Sequence, residues 1–193
     1  MENTNKTSRT LVNVIGIPSL LFIIYYGGVL FLLLIGIIML IGASELISLS
    51  KMKGANLSGL ILYAGLLGIC LLHYTSADYF LEWIMLIVII SMLAEVFRRN
   101  SSPFLNISFT ALGIIWLGIL IGSMIDIRTD YGFIITLSMF LSVWTCDTFA
   151  FFFGKTFGNK KILPDISPKK TWVGSISGLM GSLLCMFIFY YGN

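Results

Sequence analysis

Apolar residues fall in seven long runs separated by short polar stretches: 11–26, 29–47, 57–74, 79–97, 104–125, 131–153 and 172–191. A helix crossing the hydrocarbon core needs roughly 20 residues, with about 17–25 usual. Each run is therefore the size of one crossing, the first slightly short. Residues 11–47 read as one apolar stretch too long for a single span, and Gly27-Gly28 near its middle is the natural break. A tight helical hairpin is predicted there, because glycine supplies the backbone conformations a sharp turn needs. Asn13 and Pro18 make the first span the least regular. The pattern predicts an all-α protein, a polytopic transmembrane helix bundle of about seven spans forming a single integral membrane domain over residues 1–193.

Composition narrows the function classes. Of 193 residues, 58% are hydrophobic and only 11% charged, against about 25% charged in an ordinary soluble domain. This excludes a soluble enzyme, a disordered tail and a nucleic-acid reader. Twelve residues are basic, and their placement is informative. Lys6 and Arg9 precede the first run, Lys51 and Lys53 follow the second, and Arg98 and Arg99 follow the fourth. Lys155, Lys160, Lys161, Lys169 and Lys170 fill the segment between the last two runs. With a cytoplasmic N-terminus, all of these lie inside, and only Arg128, flanked by Asp126 and Asp130, lies outside. The positive-inside rule therefore predicts a cytoplasmic N-terminus, a cytoplasmic basic loop at 154–171 and a C-terminus on the other side. No small-x-small cleavage pattern follows the first run, so it is expected to be retained as a signal anchor. Tyr25, Tyr26, Tyr74, Tyr79, Trp83, Tyr131, Trp172, Tyr190 and Tyr191 recur at span ends, as an interfacial aromatic belt does.

Few residues are placed to carry chemistry. Cys70, Cys146 and Cys185 lie far apart within apolar runs and read as small buried residues rather than a metal or disulfide set. His73, the single histidine, is expected at the outer interface. Glu45, Glu82 and Glu95 sit near span ends, where a carboxylate reaches water or a basic neighbour. Asp147 differs. It precedes Gly154 by about two helical turns, and its chain neighbours offer no countercharge. A carboxylate at the centre of a membrane helix costs about 2.5–3.5 kcal/mol on insertion scales, and one buried here needs a lysine, a metal ion, a proton or a wet cavity.

The segment 154–171, GKTFGNKKILPDISPKKT, is the longest polar loop and holds five of the twelve basic residues. Ser167 is predicted as an N-cap, Pro168 as the first helical residue and Trp172 as an interfacial anchor of the last span. Lys169 and Lys170 would then flank the positive end of a helix dipole, with free N–H groups beside them. That arrangement suits phosphate, and Lys155, Lys160 and Lys161 would extend the positive surface toward an anionic lipid headgroup, a nucleotide, or both. Gly154 and Gly158 are expected to form a turn leaving the membrane. This is not a P-loop, because Lys and Ser or Thr do not follow the second glycine.

Taken together, D-T-F-A-F-F-F-G-K-x-F-G from Asp147 to Gly158, then Leu163-Pro164, then I-S-P-K-K-T-W-x-G from Ile166 to Gly174, resembles the phosphatidate cytidylyltransferases. These are the CDP-diacylglycerol synthases of bacterial and eukaryotic membranes. The resemblance implies CTP-dependent cytidylyl transfer to phosphatidate, giving CDP-diacylglycerol and pyrophosphate with Mg²⁺ or another divalent cation. It implies catalytic roles for Asp147, Lys169 and Lys170, with Asp147 helping to hold the metal. It implies substrate contacts from Lys155, Ser167, Pro168, Thr171, Trp172 and Gly174. The partners implied are CTP, phosphatidate and the bilayer, with no nucleic acid; a second copy of the chain, as a homodimer, is a further candidate.

Two departures stand out. Val173 occupies a position that is usually acidic in the family. The family's second signature, with Lys-Arg and Lys-Asp pairs before Pro-Gly-His-Gly-Gly and Asp-Arg-x-Asp segments, does not occur in this sequence. The expectation is a chain incomplete at its C-terminus, or a truncated homologue, inactive or nearly so by itself. Two other readings compete: a CTP-using lipid kinase of the polyprenol or phytol type, and a non-enzymatic transporter or assembly subunit with Asp147 as an ion or proton site.

Overall fold

The computed structural model describes residues 2–98 and 102–192, with side chains from residue 14 onward. Arg99, Asn193 and the side chains of Lys6, Arg9 and Asn13 lie outside the described residues. Each of the seven apolar runs forms helix. Five helices are long and apolar enough to cross a membrane, and two shorter apolar helices, Val14–Tyr26 and Gly59–Thr75, account for the remaining runs. The chain is an all-α polytopic membrane protein. It clusters into two compact units, Met1–Asp130 and Tyr131–Asn193.

In the first unit α1 spans Glu2–Tyr26, α2 Gly28–Met52, α3 Gly59–Thr75 and α4 Phe80–Arg98. A single long helical run, Pro103–Asp130, follows as α5 (Pro103–Gly113), a π-helical stretch (Ile114–Ile121) and α6 (Gly122–Asp130). The predicted break falls where expected: Gly27 and Gly28 have φ of 67° and 51°. Gly27 is needed for a second reason. Arg128 of α6 donates from Nε to the Ile24 carbonyl at 2.8 Å and from Nη2 to the Tyr25 carbonyl at 2.9 Å. It thereby satisfies carbonyls that the end of a helix leaves open. A Cβ on Gly27 would lie 2.5 Å from Nη2 of that guanidinium.

Residues Phe31, Ile35, Met39, Ala43, Leu46 and Ser50 form the buried stripe of α2, at the three- and four-residue spacing of one helix face. Of these, Ala43 and Leu46 meet Leu62, Leu66 and Ile69 of α3, Ile87 of α4, and Ile114 and Leu117 of the π-helical stretch in one core. A buried polar cluster closes one end. Glu95 accepts from Arg98 and from Asn106 Nδ2, each at 2.8 Å, and Asn106 Oδ1 accepts the Asn56 N–H at 2.6 Å. Glu95 is thus paired, as its place near Arg98 suggested.

His73 departs from expectation. Instead of lying at the interface it is 3% exposed, with Nδ1 2.7 Å from Asp126 Oδ2. The cause is the packing of α3 on α6, where Gly122 leaves room for the imidazole ring. Asp126, which reads in the sequence as a flank to Arg128, is its partner.

Candidate functional site

The second unit contains α7 (Gly132–Phe157), β1 (Lys161–Leu163), β2 (Ser167–Thr171) and α8 (Trp172–Tyr191). Small residues hold the two helices together. A Cβ on Gly174 would stand 2.8 Å from the Ala150 carbonyl and 3.1 Å from the Gly154 Cα, and one on Gly178 would stand 2.9 Å from the Cys146 carbonyl. Gly174 and Gly178 of α8 face Ala150 and Gly154 of α7, a small-xxx-small stripe on each side. That is how membrane helices approach closely when no hydrophobic force between them is available. Ser177 adds a hydrogen bond to the Phe149 carbonyl at 3.2 Å.

The segment between the helices folds back on itself. Strands β1 and β2 pair antiparallel, Lys161 with Thr171 and Leu163 with Ser167, and the Ile166 N–H reaches the Leu163 carbonyl at 3.2 Å across a turn carrying Pro164 and Asp165. This corrects the sequence reading at three points. Ser167 is not an N-cap and Pro168 is not the first helical residue; both belong to β2. Thr171 caps α8 instead, its hydroxyl accepting the Gly174 N–H at 3.2 Å. Gly154 does not form a turn, because α7 continues through it to Phe157 and Gly158 follows as the C-cap. Pairing of the polar segment with itself outcompetes the earlier helix start. Pro168 is tolerated because a two-stranded ribbon has free edges.

The same pairing makes the α8 N-terminus less open than expected. The Trp172 N–H donates to the Lys160 carbonyl at 3.1 Å, and the Gly174 N–H is taken by Thr171. The positive charge beside it comes chiefly from side chains.

Those side chains converge on one cavity of about 770 Å³. Its wall carries Asp147, Ala150, Phe151, Gly154 and Lys155 from α7, then Gly158 and Lys161, then Ser167, Lys169, Lys170 and Thr171 from β2, and Gly174 and Ser175 from α8. The register between Lys161 and Leu163 is irregular, with β2 taking more residues than β1 over the same length. A regular strand sends successive side chains to opposite faces, and a bulge breaks that alternation. Lys169, Lys170 and Thr171 are consecutive, yet all three line the cavity.

Four lysines therefore share the cavity wall with one carboxylate. Among the described residues no hydrogen bond or ion pair engages the side chain of Asp147, Lys155, Lys161, Lys169 or Lys170. Lys155 alone has a partner of another kind, the Phe151 ring, 5.8 Å from its Nζ. Both ion pairs found among the described residues, His73–Asp126 and Glu95–Arg98, lie in the first unit. Of the alternatives open to Asp147, the structure gives it the wall of an open cavity that it shares with four lysines.

Of the residues singled out in the sequence, Asp147, Lys155, Ser167, Lys169, Lys170, Thr171 and Gly174 meet at this cavity. Pro168 and Trp172 do not line it, and Trp172 is 54% exposed at the start of α8. Ser175 was missed. It stands four residues beyond Thr171, one turn along the same helix face, and would have been found had the cap been placed at Thr171.

An open, positively charged cavity on a close pair of membrane helices defines a membrane protein equipped to handle anions. Comparison with known proteins says which. The cytidylyltransferase family matches residues 7–192. The phosphatidate cytidylyltransferase of Staphylococcus aureus (strain COL) is 31% identical over 191 residues, covering 95% of this chain and 71% of that protein. That of Staphylococcus saprophyticus is 30% identical over 187 residues, covering 94% and 72%. The chain belongs to the cytidylyltransferase family.

Proposed function

We propose that this protein transfers the cytidylyl group of CTP to phosphatidate, giving CDP-diacylglycerol and pyrophosphate for phospholipid synthesis. The observation that carries the reading is the cavity of the second unit, lined by four lysines and one carboxylate with no ion pair among them. Family membership and the named relatives support the choice of substrates. Nothing favours a lipid kinase or a transporter over it.

In this reading a phosphatidate phosphate oxygen attacks the α-phosphorus of CTP. The new bond is phosphorus–oxygen, the bond from the α-phosphorus to the bridging oxygen breaks, and pyrophosphate leaves with that electron pair. The nucleophile is already an anion at neutral pH, so no strong base is needed. What must be overcome is repulsion between two polyanions, and positioned positive charge does this. Lys169 and Lys170 hold nucleotide phosphate, while Lys155 and Lys161 neutralise the remaining charge. Ser167 and Ser175 offer hydroxyl donors on the same wall. A lipid substrate reaches such a site laterally from the bilayer.

The residues present suit a divalent cation bound in one way only, by a single carboxylate together with substrate phosphate. Among the described residues no group of three His, Cys, Asp or Glu side chains comes together, and Asp147 is the one carboxylate on the cavity wall. Mg²⁺ is commonly bound by one or two carboxylates plus substrate phosphates, keeping several waters. Asp147 fits that mode and would hold the ion. Bound there, Mg²⁺ would supply charge neutralisation on the nucleotide phosphates. We also assign the N-terminus and the hairpin to the cytoplasm, on the support of the basic residues that flank the spans on that side.

The test is a detergent assay with α-labelled CTP, phosphatidate and Mg²⁺ on the gene product that carries this sequence, beside CTP binding by the 193-residue chain. Label passing into a lipid-extractable product, only when phosphatidate is present, is expected. Lipid labelling from γ-labelled CTP but not from α-labelled CTP, or no binding of CTP at all, would contradict the reading.

A further inference from the structure

The resemblance makes Thr171 a substrate-binding residue, but its surroundings assign it another task. Its side chain is 5% exposed. The hydroxyl accepts the Gly174 N–H at 3.2 Å and stands 3.5 Å from the Gly154 carbonyl, to which it donates. The hydroxyl proton is thus directed at α7 and a lone pair at α8. Three glycines enclose it. A Cβ on Gly154 would meet Thr171 Oγ1 at 3.1 Å and one on Gly174 at 3.2 Å, while one on Gly158 would collide with both Thr171 Oγ1 and the Gly154 carbonyl. A side chain walled in this way sits between the end of α7 and the start of α8, immediately after Lys169 and Lys170.

We propose that Thr171 is a positioning residue, a latch whose buried hydroxyl fixes the end of β2 to α7 and α8 so that Lys169 and Lys170 face Asp147 across the cavity. The irregular register of β2 makes such a latch necessary. A bulged strand has fewer ladder hydrogen bonds to set its side-chain directions, and the anchor at Thr171 replaces that constraint one residue from Lys170. The inference rests on the phosphate-binding role given to these lysines above.

The test is CTP binding by the intact chain in detergent with Mg²⁺, comparing T171S, T171V, T171A, K169A, K170A and the double variants T171V/K170A and T171A/K170A. Retained helical circular dichroism identifies the folded variants, and T171A carries the test if T171V loses that signal. T171S keeps the hydroxyl and is expected to bind as the native chain does. T171V and T171A lose it and are expected to bind roughly tenfold more weakly, on the scale of a lost N-cap and a buried hydrogen bond. The decisive readout is coupling. If Thr171 acts by presenting Lys170, K170A costs much less in a T171V or T171A background than in the native chain, because the charge is already misplaced. Independent, additive losses would overturn the latch, as would native-like binding by T171V and T171A while K170A binds weakly; in both cases the phosphate reading survives. Native-like binding by K170A together with K169A would instead remove the phosphate reading on which the latch depends.

Discussion

Gly174 of α8 lies against Gly154 of α7 so closely that a methyl group on Gly174 would stand 3.1 Å from the Gly154 Cα and 2.8 Å from the Ala150 carbonyl. The contact is backbone against backbone, so no side chain can rotate away to make room. It sets the separation of the helices that carry Asp147 and the base of the hairpin, and through it the width of the cavity between them.

Substitution along this stripe is therefore expected to cost both stability and binding. Gly174→Ala and Gly178→Ala should each destabilise the protein by about 1–3 kcal/mol, the range for overpacking a close contact. Gly36→Ala in α2 is the control, since its Cβ would meet Cys70 Sγ at an ordinary 3.7 Å. Thermal unfolding in detergent measures the difference. Equal melting temperatures for all three variants would mean that α7 and α8 pack less closely than described.

Asp147 is expected to matter through its charge alone. Asp147→Asn is nearly isosteric, and it should weaken CTP use more than the loss of either Lys169 or Lys170. It should also raise the Mg²⁺ concentration needed for half-maximal binding of CTP. Chelation of divalent cations should reduce the native chain to the level of the variant. A variant with an unchanged Mg²⁺ requirement would detach Asp147 from the ion.

Topology has its own test. Single cysteines at Asn159 and Asn193, in a background lacking the three native cysteines, should label from opposite faces of the membrane, Asn159 from the cytoplasm. Labelling of both from one side would contradict the assigned orientation.

The membrane helices were legible in the sequence because the bilayer imposes a length and a composition that few other structures satisfy. The Gly27-Gly28 break was legible too, since its positive φ values are what glycine supplies. Two local features were not. His73 reads as interfacial because nothing along the chain connects it to Asp126, and only the packing of α3 on α6 buries the imidazole and brings the two together. The start of α8 was misplaced by four residues, because Ser167-Pro168 is an ordinary helix opening by local chemistry. Pairing of β2 with β1 overrides it, a competition that depends on residues on the far side of a turn. Most of the residues named from the family resemblance meet at one cavity, while Pro168 and Trp172 do not line it.

The central claim is that the hairpin lysines hold substrate phosphate, and CTP binding by charge-deleted variants tests it most directly. Lys169→Ala and Lys170→Ala each remove a positive charge from the cavity wall, and hydrogen bonds to charged groups contribute roughly 1.5–3 kcal/mol. Each variant is expected to bind CTP about ten- to a hundredfold more weakly, while Lys51→Ala and Lys53→Ala, which lie in the first unit outside the cavity, bind as the native chain does. Equal affinity across all four variants would reduce the basic loop to a determinant of membrane orientation and contradict the account.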